Sequence, residues 1–204
     1  MTKFFFILFF AFGITISFGQ NFAIKAGGNI ATTKDLVAFP KNKFGWYGGF
    51  SYQIPLQNKL FVQPEIIYSS KGYKTNDQFG AIYQSVRMNY INIPILLNYR
   101  FDNRTSLLFG PEFGYLISAN LVINGESNIN IMKQYPPRFA AAACIGLQYI
   151  IWKYFCAEIR YNYGFNTLYS VDATGNRYTE ENGANRVFQS GIKYLFQKKL
   201  QVTP

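Results

Sequence analysis

Strict alternation of apolar and polar positions runs through Asn89–Phe101, NYINIPILLNYRF. One parity carries Ile91, Ile93, Ile95, Leu97, Tyr99 and Phe101; the other carries Tyr90, Asn92, Pro94, Leu96, Asn98 and Arg100. A period of two over this length predicts a strand with one apolar and one mostly polar face. The same pattern recurs in Asn21–Ile30, Phe44–Ile54, Lys59–Ser70, Thr105–Ser118, Arg138–Ile150, Tyr154–Asn166 and Arg186–Phe196. With the opening stretch, which extends back to Val86, that makes eight strands.

The connections have a rhythm of their own. Ala31–Lys43, Lys71–Ser85, Ala119–Pro137 and Thr167–Asn185 are long and polar. Pro55–Asn58, Asp102–Arg104 and the turn at Trp152-Lys153 are short. Long and short loops in alternation describe an all-β, eight-stranded, antiparallel up-and-down transmembrane barrel, with short turns in the periplasm and long loops outside. An even strand count puts both termini on the side of the short turns. Pro64, Pro94 and Pro111 each remove a ladder donor within a strand, so a local bulge is expected at each.

Parity does not say which face is inside, but volume does. The bore of an eight-stranded barrel is only just wide enough to be filled by side chains. Packing the Phe, Tyr, Trp and Ile parity of every strand inward would overfill it. The opposite parity is rich in Gly and Ala with single charges, so the aromatic face is assigned to lipid. Closure also gives every strand a hydrogen-bonded neighbour, which hydrocarbon demands.

The lumen then holds Lys25, Glu65, Arg100, Glu112, Glu158, Arg160 and Lys193. Confined together, these charges are expected to pair as a structural ion network; a proton or ion path is the less favoured reading. Cys144 and Cys156 share the lumen parity on adjacent strands. Two readings of them stay open: a disulfide, which export would permit, or two small lumen-filling thiols.

Composition removes whole classes of chemistry. The 204 residues contain no histidine, which excludes Ser-His and Cys-His nucleophilic machinery and His-dependent metal sites. Glu112 and Glu158 as an acid/base pair is a remote alternative, so no enzyme, cofactor or metal is expected. The formal charge of +10 is spread over single Lys and Arg residues, with Lys198-Lys199 the only adjacent pair. That suits a solvated or phosphate-facing surface better than nucleic acid.

The first residues carry an address. Lys3 is followed by an apolar run from Phe4 to Phe18, 15 residues long, short of the ~20 needed to span hydrocarbon. Ser17-Phe18-Gly19 then places small residues before Gln20. Residues 1–19 therefore read as a signal peptide cleaved near Gly19, and residues 20–204 as the barrel domain. No Cys stands directly after the apolar run, which argues against a lipid anchor.

Six segments carry a family likeness: FAIKAGGNIA, QPEIIYSSKGY, YINIPILLNYRF, LLFGPEFGYLISA, AEIRYNYGFNTL and NRVFQSGIKYLF. In this order and with this loop rhythm, Phe22–Phe196 resembles the PorT-like outer-membrane β-barrel family of the Bacteroidota. The resemblance implies an eight-stranded outer-membrane barrel without catalytic residues, one branch of which contributes to type IX secretion. The expected partners are outer-membrane lipid, the barrel-assembly machinery and envelope or secretion proteins. The expected role is structural or interactive, through the long loops. The alternatives are a small pore or transporter, or a secreted barrel that binds an apolar ligand.

Overall fold

The computed structural model describes residues 21–33, 42–76, 83–123, 127–132, 138–165, 168–171, 177–183 and 185–196. The expected signal peptide and the tail after Phe196 lie outside them. The strands are β1 (Phe22–Thr33), β2 (Lys43–Tyr52), β3 (Ile54–Gln57), β4 (Leu60–Asn76), β5 (Tyr83–Arg100) and β6 (Thr105–Ile123). They continue with β7 (Ser127–Asn130), β8 (Phe139–Trp152), β9 (Phe155–Gly164), β10 (Leu168–Val171), β11 (Arg177–Gly183) and β12 (Asn185–Leu195).

Eight of these are the staves of a closed antiparallel barrel, in the order β2, β1, β12, β9, β8, β6, β5, β4, with β4 returning to pair with β2. Closure at the chain ends is made by β1 on β12, from Ala23↔Leu195 to Thr33↔Asn185. β3 continues the stave begun by β2, and β7 adds to the outer end of β6. β10 and β11 form a separate hairpin.

The pair registers fix the geometry. Lys25 lies beside Gly49, Gly49 beside Ile67, Ile67 beside Asn92, Asn92 beside Gly114 and Gly114 beside Ala140. Carried on through the remaining registers, this path returns to β1 about ten residues further out, which is the shear of the barrel. With ~3.3 Å of rise per residue and ~4.8 Å between strands, the staves tilt by roughly 40° and climb about 2.5 Å per residue along the axis.

The expected bulges at the three prolines do not occur. Each proline instead pairs normally with one neighbour and leaves a gap towards the other, after which the ladder resumes in unchanged register. Pro64 pairs with Ile95, and the gap it leaves opposite Tyr52 is where the stave divides into β2 and β3. Pro94 pairs with Glu112 and interrupts the ladder to β4; Pro111 pairs with Ala143 and interrupts the ladder to β5. A missing N–H faces only one side of a strand, so a proline can be accommodated without shifting the chain.

The strands are also longer than the sequence pattern suggested. β4, β5 and β6 run on through positions read as loop, to Asn76, from Tyr83 and to Ile123. They make a tall wall on one side of the rim that carries the long loops.

The faces fall as the volume argument requires. Ile91, Ile93, Ile95, Phe109, Phe113, Ile145, Ile159, Tyr161 and Ile192 are exposed on the outside. Lys25, Glu65, Asn98, Glu158, Arg160 and Lys193 are buried in the bore. Outward rings form two belts. Tyr99, Tyr149, Phe155 and Tyr194 lie near the short turns; Phe44, Trp46, Tyr115, Phe139 and Tyr163 lie near the long loops. About ten residues of stave, some 25 Å along the axis, separate the belts, which is the height of the apolar band of outer-membrane barrels.

Candidate functional site

The bore is filled, and side chains from opposite walls meet within it. At mid-height Arg160 of β9 reaches Glu65 of β4, the diametrically opposite stave. Nη1 donates to Oε2 at 2.7 Å and Nη2 to Oε1 at 2.5 Å. Arg160 Nη2 also donates to Glu158 Oε2 at 2.8 Å. Lys25 of β1 lies 3.0 Å from Glu65 Oε2 and 2.6 Å from Glu158 Oε1. Two cations and two carboxylates thus form a neutral cluster with almost no solvent exposure. Opposite charges at this separation are needed to offset the desolvation of each.

Amides surround the cluster and use its remaining lone pairs. Gln63 donates to Glu65 Oε1 at 2.5 Å, and Gln148 to Glu158 Oε2 at 2.6 Å. Their own oxygens then accept from Lys193, at 3.1 and 3.4 Å, and from Asn98, at 3.0 and 3.3 Å. Lys193 is therefore held by amide oxygens rather than by a carboxylate. The inner wall of β8 carries no side chain at Gly146, where a Cβ would meet the Arg160 side chain and the Ile159 carbonyl.

Nearer the long loops a second network takes over. Lys71 Nζ lies 3.0 Å from Glu112 Oε1, and Asn162 donates to Glu112 Oε2 at 3.2 Å. Asn162 also donates to Gln189, which donates to Asn29, which reaches Ser69 and the Ser70 carbonyl. Above this lies an apolar plug of Tyr73, Val86, Met88, Tyr90, Leu116, Ala119 and Ile131. Leu96, Leu108 and Cys144 form a smaller apolar patch on the β5, β6 and β8 side. Beside Lys71 and Glu112 the bore leaves a cavity of about 30 Å³, room for about one water.

Of the seven charges expected in the bore, Lys25, Glu65, Glu158 and Arg160 come together, Lys193 lies beside them on amide oxygens, and Glu112 stands in the second network. Arg100 stands apart, half-buried, with its guanidinium 4.7 Å from the Phe61 ring centre. Glu112 and Glu158 are each held by their own cations, so they do not form an acid/base pair.

Sequence reasoning missed Lys71 and Lys43, which it placed in loops. Both continue the lumen parity of their strands, Gln63, Glu65, Ile67, Ser69, Lys71 and Lys43, Gly45, Tyr47, so the period itself held the signal. The disulfide reading is overturned. Cys144 and Cys156 are buried free thiols. Cys144 is paired with Asn162 and Cys156 with Ile150, six positions along β8 from Cys144. Six residues of strand are about 20 Å, far beyond the ~7 Å that a disulfide bridges.

Among the described residues no group of three or more Cys, Asp or Glu is arranged to hold a metal ion. A closed barrel with an apolar exterior and a bore bonded from wall to wall is a transmembrane β-barrel. The chain belongs to the family described as outer membrane protein beta-barrel domain, whose model matches residues 5–170. It is an outer-membrane protein, seated in the lipid bilayer.

The chain is similar to solved outer-membrane proteins, and the first of the three named here shares its fold. Neisserial surface protein A is 12% identical, with a TM-score of 0.57, over 85% of this chain and 96% of that one. Ail, the attachment invasion locus protein of Yersinia pestis, is 16% identical, with a TM-score of 0.48, over 86% and 98%. OprG of Pseudomonas aeruginosa is 11% identical, with a TM-score of 0.45, over 88% and 99%. No curated protein matches the sequence.

Proposed function

We propose that this chain is a plugged outer-membrane barrel whose lumen network is structural and whose working surface is its long extracellular loops. The observation that carries this reading is the bonding of opposite walls: Arg160 of β9 holds Glu65 of β4 across the whole bore. An ion or solute crossing the barrel would have to break that pair and displace the apolar plug around Met88 and Tyr90. The role is structural or interactive, with envelope proteins as partners and the barrel-assembly machinery required for insertion. The PorT-like resemblance adds a link to type IX secretion as the finer reading, and residues 1–19 serve as the export signal.

Single-channel recording in planar bilayers tests the plugged bore. The purified chain is expected to insert without steady conductance. Sustained open currents from the unaltered chain would overturn the structural reading in favour of a small pore.

A further inference from the structure

Above the central cluster the polar side chains of the bore close into a ring. Lys71 of β4 meets Glu112 of β6 at 3.0 Å, and Glu112 accepts from Asn162 of β9 at 3.2 Å. Asn162 donates to Gln189 of β12 at 3.1 Å, and Gln189 donates to Asn29 of β1 at 3.0 Å. Asn29 donates to Ser69 and to the Ser70 carbonyl, beside Lys71, at 2.9 and 3.1 Å. The ring thus begins and ends on β4. It passes β5 by, although Asn92 of β5 is buried at the same height. Allowing for the strand tilt, Asn92, Glu112 and Asn162 lie within about one residue's rise of a common level.

Two polar atoms are left over at this level. Among the described residues Asn92 Nδ2 has no acceptor and Asn162 Oδ1 has no donor. The two residues are 1% and 2% exposed, so bulk solvent does not serve them. A buried donor or acceptor without a partner loses the bond that water gave it in the unfolded chain. Both side chains line the cavity of about 30 Å³ beside Lys71 and Glu112. The space exists because the positions around it are small: Gly114 on β6, Ala140 and Ala142 on β8, and Gly164 on β9. Its volume admits a particle the size of water and nothing larger. Its charges select a neutral one, since a cation would face Lys71 and an anion would face Glu112.

We propose that this cavity is a binding site for one ordered water, which accepts from Asn92 Nδ2 and donates to Asn162 Oδ1. Its second hydrogen goes to the Glu112 carboxylate, which gives the three partners usual for a buried water. The water brings β5 into the ring and completes a second tie between walls, further out than the Arg160–Glu65 pair. The inference deepens the reading of the bore as a structural plug and rests on it.

Water-selective NOE and ROE spectra of the full, isotope-labelled chain in lipid nanodiscs test the site. The side-chain amides of Asn92 and Asn162 are expected to show peaks at the water frequency with NOE and ROE of opposite sign, the mark of a held water. Asn29 and Asn98, whose amides already have protein partners, should show none. Ala142→Val, whose added carbons fill the space, should lose both peaks. A peak relayed from the exchanging protons of Lys71 would persist in that variant and would overturn the site. Ala140→Val fills the same cavity from one rung further along β8 and gives the same reading should Ala142→Val not fold, as judged by heat-modifiable migration in gels. Absence of water peaks at Asn92 and Asn162 in the unaltered chain would overturn the site and leave the plugged bore standing. Equal peaks at Asn29 and Asn98 would overturn both, because they would show a bore open to solvent.

Discussion

Arg160 and Glu65 stand on diametrically opposite staves and close a two-pronged salt bridge across the bore, at 2.7 and 2.5 Å. The pair belongs to a cluster that is neutral as a whole, with Lys25 and Glu158 as its other members. Removing one charge leaves its partner buried without compensation, at a cost of roughly 3–5 kcal/mol. Removing Arg160 and Glu65 together leaves Lys25 facing Glu158, still balanced. Arg160→Met and Glu65→Gln are therefore each expected to lower unfolding stability by that amount. The Arg160→Met/Glu65→Gln double variant is expected to lose much less than the sum of the two. Urea titration of the barrel folded into lipid vesicles measures all three. Single variants within about 1 kcal/mol of the parent would show that the pair does not hold the walls together.

Much of this was legible from the period of two, because period fixes face. The outward rings and the inward Lys25, Glu65, Glu158, Arg160 and Lys193 follow from it once the narrow bore is considered. Which charges would meet did not follow. Period gives the face of a residue but not its height relative to other staves, and height is set by register. Cys144 and Cys156 share a face and adjacent strands, yet register puts them six positions apart. Lys71 was hidden for a different reason. Lys71-Gly72-Tyr73-Lys74 has the composition of a loop, but pairing with Ser85–Met88 holds it in the sheet. The prolines misled because removal of a donor was equated with a shift of the chain.

The turn at Asp102 lies outside the membrane. Its carboxylate accepts from the backbone N–H groups of Arg104 and Thr105, at 2.6 and 2.7 Å. These bonds favour the charged form and hold the carboxyl below its ordinary range. A depressed value in the folded state means that the contribution to stability is present above the ordinary carboxylate pKa. It is lost as pH falls through the depressed value. NMR titration of the Asp102 carboxyl is expected to show a midpoint below that of a free aspartate, and Asp102→Asn should remove the acid sensitivity of the turn. A midpoint at or above the free value would show that the turn is not closed by this side chain.

The two thiols make a chemical prediction. Both are buried and lie about 20 Å apart along the staves. Mild oxidation of the folded barrel should therefore leave its mass and its migration unchanged. A maleimide reagent should add nothing in the folded state and two labels after unfolding, as read by intact mass. Loss of two hydrogens on oxidation of the folded monomer would show that the β8 and β9 registers are different from those described.

Depth within the bilayer sets the last expectation. Ile93 and Tyr99 are both exposed on the lipid side of β5, six residues apart on one stave. Ile93 lies near mid-height, whereas Tyr99 belongs to the belt beside the short turns and touches Phe101 with ring centres 5.2 Å apart. An arginine at mid-height must be brought into hydrocarbon or must drag water and headgroups towards it. The cost on lipid-facing positions of such barrels is about 2–4 kcal/mol at the midplane and about 0–1 kcal/mol near an interface. Ile93→Arg should therefore destabilise the barrel in vesicles severalfold more than Tyr99→Arg, although the strand and the substituted residue are the same. The inward neighbours Asn92 and Asn98 are untouched by either change, so the difference reports depth alone. Equal losses at the two positions would mean that the outward face of β5 does not meet lipid at the height assigned to it.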